Sequence, residues 1–188
     1  MAAAVDASKA LAAARLLEVI QRRVSIREWS ATPVPLDVVQ AALDAARLAP
    51  SAGNLQAYRV AVVRNAGARR ALGEAAGQDF VGDAPVVLVW LADPPASAAK
   101  YGKRGTALYA VQDATIAAVY AQLALEAVGL ASCWVGAFDE AAVLEAVAPG
   151  QRLRPIALMP CGYAAPAAAA RARRHHRRRL EEFVALVD

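Results

Sequence analysis

Gly129-Leu130-Ala131-Ser132-Cys133-Trp134-Val135-Gly136 is an apolar run of strand length closed at both ends by glycine. It follows directly on residues 106–129, a long apolar segment interrupted by Gln112, Asp113, Gln122 and Glu126. Burying those four in lipid would be costly, so the segment reads as a central helix inside the protein rather than a membrane span. Being apolar nearly all round, it is expected to be surrounded by protein, as the core of a domain or of a dimer. A helix that hands straight on to a strand sets the pattern for the rest of the chain.

Working outward, the same alternation recurs. Ser8 can cap a helix whose Leu11, Leu16, Val19 and Ile20 keep helical spacing up to Arg22. Pro35 opens a second helix through Val38, Val39, Ala42, Leu43 and Ala46 to Ala49, and Pro50 stops it. Residues 58–63 are β-branched and partly alternating, which predicts a strand followed by a short helix over 68–76. Pro85 introduces Val86-Val87-Leu88-Val89-Trp90-Leu91, a continuous apolar run that predicts a strand covered on both faces, ended by Asp93-Pro94-Pro95. Residues 96–105 read as a loop or lid, with Gly102 and Gly105 flanking Lys103 and Arg104. The glycine-bounded run predicts a third strand over 130–135. Asp139 then caps a helix through Val147, and a fourth strand falls at 156–161. Helices alternating with strands imply a sheet covered by helices.

A chain of 188 residues, 58% hydrophobic and 20% charged, fits a single domain over residues 1–188, with 1–7 and 164–188 as extended tails or arms. Much of the apolar content is alanine, which favours helix without filling volume, so the helices should pack closely. The net charge of +4 is concentrated in Arg171, Arg173, Arg174, Arg177, Arg178 and Arg179, with a smaller group at Arg22, Arg23 and Arg27. Two such clusters suit a polyanionic ligand held locally as well as they suit a broad basic face. The C-terminal cluster reads as either a solvated basic arm or an anion clamp, and the lack of base-stacking aromatics beside it argues against nucleic acid. Cys133 and Cys161 lie in apolar segments without metal or C-x-x-C spacing, and Asp6 and Lys9 break the Ala-rich start. The expectation is a cytoplasmic, metal-free chain with two small buried thiols.

Three stretches carry chemistry. In Arg23-Val24-Ser25-Ile26-Arg27, two fixed cations flank a hydroxyl, a donor set suited to a phosphate. Pro50-Ser51-Ala52-Gly53-Asn54-Leu55-Gln56 is an amide-rich turn that offers hydrogen bonds to hydroxyls and heteroaromatic edges, and Gly53 permits a tight backbone path. The strand end at Trp134, Val135 and Gly136 suits a flat ring, although Trp134 would serve equally as core filling. None of the three supplies a nucleophile, and no side chain is assigned a catalytic role.

In order and spacing, these stretches resemble the flavin-dependent nitroreductase family, together with Val34-Pro35, Asp83-Ala84-Pro85, Gln112-Asp113 and Leu180-Glu181-Glu182. The resemblance implies an α+β fold with a mainly antiparallel sheet and long helices at a homodimer interface. It also implies that Arg23, Val24, Ser25 and Arg27 hold the phosphate end of FMN. Pro50, Ser51, Ala52, Asn54 and Gln56 would then meet the ribityl chain and ring edge, commonly in the partner's site. The backbone at Trp134, Val135 and Gly136 would face the isoalloxazine, with an N–H near the hydride-accepting N5. Arg177 is expected to add a cation to the phosphate, with Arg174 and Arg178 as alternatives, while His175 and His176 are expected to be surface neighbours.

The activity implied is a ping-pong cycle in which NAD(P)H reduces bound FMN and leaves, and a small nitroaromatic, quinone or enone takes its place. Val24 stands where the family frequently has a basic residue and Ala57 where it has proline. The longer insertions that some members fold over the flavin are missing, which implies a more open pocket. A flavin-storing or flavin-degrading protein without nicotinamide turnover would use the same binding residues.

Overall fold

The computed structural model describes residues 7–171 and 176–187. Its centre is a four-stranded antiparallel sheet in the order β1 (Tyr58–Val63), β2 (Val86–Ala92), β4 (Arg154–Gly162), β3 (Ala131–Ser132). All of β2 is buried, and the pleat sends its side chains alternately into two cores. Val86, Leu88 and Trp90 pack with Val39, Ala42 and Ala46 of α2 (Leu36–Ala46) and with Ala117, Ala118, Ala121 and Leu125 of α6 (Ala110–Ala127). Val87, Val89 and Leu91 pack on the other face with Leu72 of α3 (Ala66–Ala76), Val81 of α4 (Asp79–Asp83) and Val143 of α7 (Glu140–Val147). The α+β architecture and the doubly covered strand are as the sequence implies. No described helix is long and apolar enough to cross a membrane.

Local chemistry sets several element ends. Asp139 accepts from the amides of Ala141 and Ala142 at 2.9 and 3.0 Å and caps α7 as expected. Pro35, extended at ψ 143°, opens α2, but regular helix ends at Ala46, three residues short of Ala49. The helix α1 (Ala7–Arg22) ends at Arg22 as expected but already includes Ala7, so Ser8 stands inside it and not at its cap, and almost all of it is exposed.

Three expectations need correction. Residues 96–105 form no loop: α5 (Pro94–Arg104), kinked at Gly102, occupies all of them but Gly105, because Asp93 accepts from the Ala96 amide at 3.1 Å and the two prolines fill first-turn positions that need no amide hydrogen. The central helix is not uniform. Its first turn, Gly105–Tyr109, is a π-helix, and Ile116, Val119 and Tyr120 remain 36–42% exposed on its outer side. The third strand shrinks to two residues, with Val135 pairing Leu158 as an isolated bridge. Pro160 explains the gap: its carbonyl accepts from Cys133 at 3.2 Å, but it has no N–H to give back.

The C-terminal segment is tied to the start of the chain. The helix α8 (Pro166–Arg171) follows the Ala164–Trp29 bridge, and the Ala165 amide donates to the Glu28 carbonyl at 3.0 Å.

Candidate functional site

The first and third stretches meet at β3. Ser25 forms a parallel bridge with Ser132, and the Ile26 amide donates to the Ser132 carbonyl at 3.2 Å. Ser132 is itself fixed from behind, where Gln122 of α6 donates to its hydroxyl at 3.3 Å. Arg23, Ser25 and Arg27 are thereby gathered around the Cys133 thiol. Burial raises that thiol's pKa, against the opposing pull of Arg27, the Ser25 hydroxyl and Arg23. Among the described residues neither Arg23 nor Arg27 forms an ion pair, and Arg27 rests 5.6 Å from the centroid of the Phe80 ring. Two guanidinium groups and a hydroxyl with no carboxylate partner make a donor set for an anion. Val24 is half-buried beside them and lines a cleft with Arg22, Ile26, Glu126 and Gly129.

From that corner, residues 129–136 run back along α6. Gly129 and Leu130 follow its C-terminal end, whereas Gly136 shares a cleft with Val111, near its N-terminal end. Along this edge the Cys133 and Val135 amides point into the sheet and are bonded at 3.2 and 2.9 Å. Those of Trp134 and Gly136 point the other way and donate to nothing among the described residues. In front of Gly136 the space is open, for a Cβ built there would meet only the Trp134 indole nitrogen, at 3.6 Å. Trp134 itself is half-buried against the core that contains Trp90, so its core-filling reading also holds.

The 50–56 loop is fastened to α6 at Asp113, a residue only 2% exposed. Its carboxylate accepts from the Ala52 amide at 2.9 Å and from the Ala57 amide at 3.4 Å, bracketing the loop. Ser51 closes the bracket from within by accepting from the Gln56 amide at 3.0 Å. Held this way, Gly53, Asn54 and Gln56 all adopt left-handed backbone, at φ 57°, 57° and 49°. For the two non-glycine residues that conformation costs about 1–3 kcal/mol each, a strain sustained only where the surroundings fix it. The Asn54 and Gln56 side chains are exposed and joined to each other at 3.4 Å. Pro50, Ser51 and Ala52 line a cleft of ≈ 490 Å³ with Tyr109, Gln112, Asp113 and Ile116. The charge on Asp113, after burial, also raises the pKa of Tyr58.

Within one chain the loop and the cation corner lie at opposite ends of α6. Asp113 anchors the first, and Arg22 reaches Glu126 at 3.4 Å beside the second. About 20 Å of helix separates the two anchors.

The basic tail divides. Arg177 is exposed and makes no hydrogen bond or ion pair among the described residues, and Arg178 sits 5.6 Å from the Phe183 ring. Arg174 and His175 lie outside the described residues, and His176 is exposed. Sequence reading put Arg171 in the basic cluster but missed its partner, Glu28, whose two carboxylate oxygens the guanidinium holds at 2.7 and 2.8 Å, bringing the tail next to Arg27. It also left Asp113 without a role, although a carboxylate inside an apolar helix is itself a signal of a buried, hydrogen-bonded anchor.

The chain matches the Nitroreductase family over residues 20–80 and 75–163. It is 30% identical over 155 residues to a "Putative NADH dehydrogenase/NAD(P)H nitroreductase" of Methanothermobacter thermautotrophicus, covering 80% of this chain and 78% of that protein. It is 52% identical over 73 residues to an "NADH dehydrogenase" of Thermus thermophilus. That match covers 38% of this chain and only 36% of the relative's length. Among solved structures, a nitroreductase family protein from Streptococcus pneumoniae superposes with a TM-score of 0.80 at 24% identity, over 91% of this chain and 99% of the other. An FMN-dependent nitroreductase from Clostridium difficile superposes with a TM-score of 0.68 at 24% identity, over 79% and 87%. The chain belongs to the nitroreductase family.

Proposed function

We propose that this protein is an FMN-dependent oxidoreductase that transfers reducing equivalents from NAD(P)H to a small organic acceptor, and that it works as a homodimer with shared sites. The observation that carries the reading is the alignment along one sheet edge of unpaired cations, a hydroxyl and outward amides. Arg23, Ser25 and Arg27 lie at one end, and the Trp134 and Gly136 N–H groups face an open surface at the other. This donor set fits FMN, whose anionic phosphate and flat ring call for guanidinium forks and for backbone that a ring can approach.

Bound there, FMN would supply two-electron redox chemistry, relaying a hydride from NAD(P)H to an acceptor that also takes a proton from solvent. The chain's own residues bind and orient. Arg23 and Arg27 neutralise the phosphate, the Ser25 hydroxyl fixes its rotation, and the amides of Trp134 and Gly136 hold the ring edge in register. Asn54 and Gln56, on their strained loop, present amides to ribityl hydroxyls. Arg177 serves in this reading as a further phosphate cation from the tail, a role supported by the anchoring of Arg171 to Glu28 beside that corner. Nitroaromatics, quinones and enones are the proposed acceptors.

What one chain leaves uncovered supports the dimer reading. Ile116, Val119 and Tyr120 on α6, and Leu11, Leu16, Leu17 and Ile20 on α1, form exposed apolar faces that association would remove from water. Pro50, Ser51 and Ala52 back onto the same outer side of α6, so a partner seated there would receive the loop.

The test is the visible spectrum of the purified protein, followed by addition of NADH and NADPH under anaerobic conditions. The reading requires blue-light absorption by bound oxidised flavin and bleaching by at least one nucleotide. A colourless protein that stays colourless after incubation with excess FMN would refute it.

A further inference from the structure

At the end of α5, Lys100, Lys103 and Arg104 place three cations within one and a half turns of chain, all exposed. Among the described residues none of them forms an ion pair. Like charges at these spacings repel, and Gly102 breaks the helix between Lys100 and the other two, so Lys103 and Arg104 begin the helical stretch that runs on into α6, where the dipole is unfavourable to cations. The dipole does not account for how firmly the group is held. Arg104 lies 5.3 Å from the centroid of the Tyr109 ring and donates to the Tyr109 hydroxyl at 2.9 Å. Lys100 lies 5.5 Å from the Tyr101 centroid, and the two tyrosines meet edge to face at 5.1 Å.

Two backbone irregularities create this arrangement. Gly102, at φ 54° and ψ −137°, takes a conformation open essentially to glycine alone, and the π-turn Gly105–Tyr109 carries Tyr109 under Arg104. The cluster also adjoins the 50–56 loop. A Cβ on Gly53 would lie 2.5 Å from the Tyr101 hydroxyl and 2.7 Å from the Lys100 ammonium.

We propose that Lys100, Lys103 and Arg104 form the subsite for a phosphate of the incoming dinucleotide hydride donor. That phosphate is either the 2′-phosphate of NADPH or the diphosphate shared by NADPH and NADH. The inference rests on the reading of the 50–56 loop as part of the flavin site. These cations have no carboxylate partner, Lys100 and Arg104 are braced on tyrosine rings, and Lys100 adjoins that loop, so the group matches a phosphate in charge and in donor chemistry. Lys103 and Arg104 are exposed, while Lys100 lies against the loop.

The experiment is flavin reduction in the FMN-loaded protein, with NADPH and NADH each titrated against wild type, Lys103→Glu and Lys100→Glu, and folding followed by circular dichroism. KM for NADPH should rise about tenfold in each variant, the scale of one lost charge-assisted contact. A rise for NADPH alone assigns the 2′-phosphate, and an equal rise for both nucleotides assigns the diphosphate. Wild-type protein supplies a check that needs no variant: adenosine 2′,5′-bisphosphate should inhibit competitively with the donor. Unchanged KM for both nucleotides in folded variants, or no such inhibition, overturns this subsite while leaving the flavin reading intact. Failure of both nucleotides to bleach the wild-type protein overturns the two together.

Discussion

Asp113 on α6 and Ala52 in the 50–56 loop are joined by a hydrogen bond of 2.9 Å, with the carboxylate buried and the amide donating. The same carboxylate takes the Ala57 amide, so one side chain holds both ends of a loop in which three residues are left-handed. Asp113→Ala leaves two amides without an acceptor and should lower stability by about 3 kcal/mol, with a matching loss of FMN affinity. Asp113→Asn keeps one acceptor and should cost roughly half as much. Urea unfolding and a fluorescence titration with FMN measure the two effects.

Arg27 is exposed, unpaired with any described carboxylate, and rests against Phe80 beside the Cys133 thiol. Its removal should therefore weaken FMN retention about tenfold or more while changing stability by less than about 1 kcal/mol. Flavin content after dialysis, compared between wild type and Arg27→Ala, decides the matter, and equal content would remove Arg27 from the site.

Tyr120 sits mid-way along the outer side of α6 and is 42% exposed in the single chain. Introducing charge there with Tyr120→Glu should leave the chain folded and shift it to the monomer, because an unpaired charge buried in an apolar interface is costly. Light scattering coupled to size exclusion reads the mass directly. Flavin should be lost along with the dimer if the 50–56 loop serves the partner's site.

Burial pushes the Cys161 thiol from 9.0 up to about 12. As pH rises past 9 the unfolded chain gives up this proton while the folded chain keeps it. The stability tied to the neutral thiol is therefore complete below pH 9 and falls by about 1.4 kcal/mol per unit between pH 9 and 12. Cys161→Ala removes this component, so the difference between wild type and variant in urea midpoints should narrow steadily over that range. A difference that does not vary with pH would contradict the buried thiol.

What was legible in the sequence was what local chemistry decides. The apolar run 86–91 and the Asp139 cap appear where residue type and spacing put them, as do the first two helices apart from their ends at Ala7 and Ala46. Asp93-Pro94-Pro95 was ambiguous because the same tripeptide that ends a strand also caps and opens a helix. The shortening of β3 depended on Pro160, which faces Cys133 only after folding. Periodicity marked α6 as apolar all round but could not say whether its own chain covers Ile116 and Tyr120. The pairing of Arg171 with Glu28 joins residues from opposite ends of the chain, and nothing in local composition specifies it. At the site, residue types identified the donors, and the fold supplied the geometry that aligns them along one edge.

The inward side of α6 is lined by Ala110, Ala114, Ala117, Ala118 and Ala121, all fully buried, so methyl groups set how closely this rod lies against its neighbours. Enlarging any of them would lever the rod away, since a filled interior has no slack to absorb extra carbons. Asp113 and Glu126 travel with it, and the displacement would drag both far-apart fastenings out of alignment in one stroke. Sequence change in this segment should accordingly be tolerated least on the inner side, where a single added methylene would pull on both fastenings together.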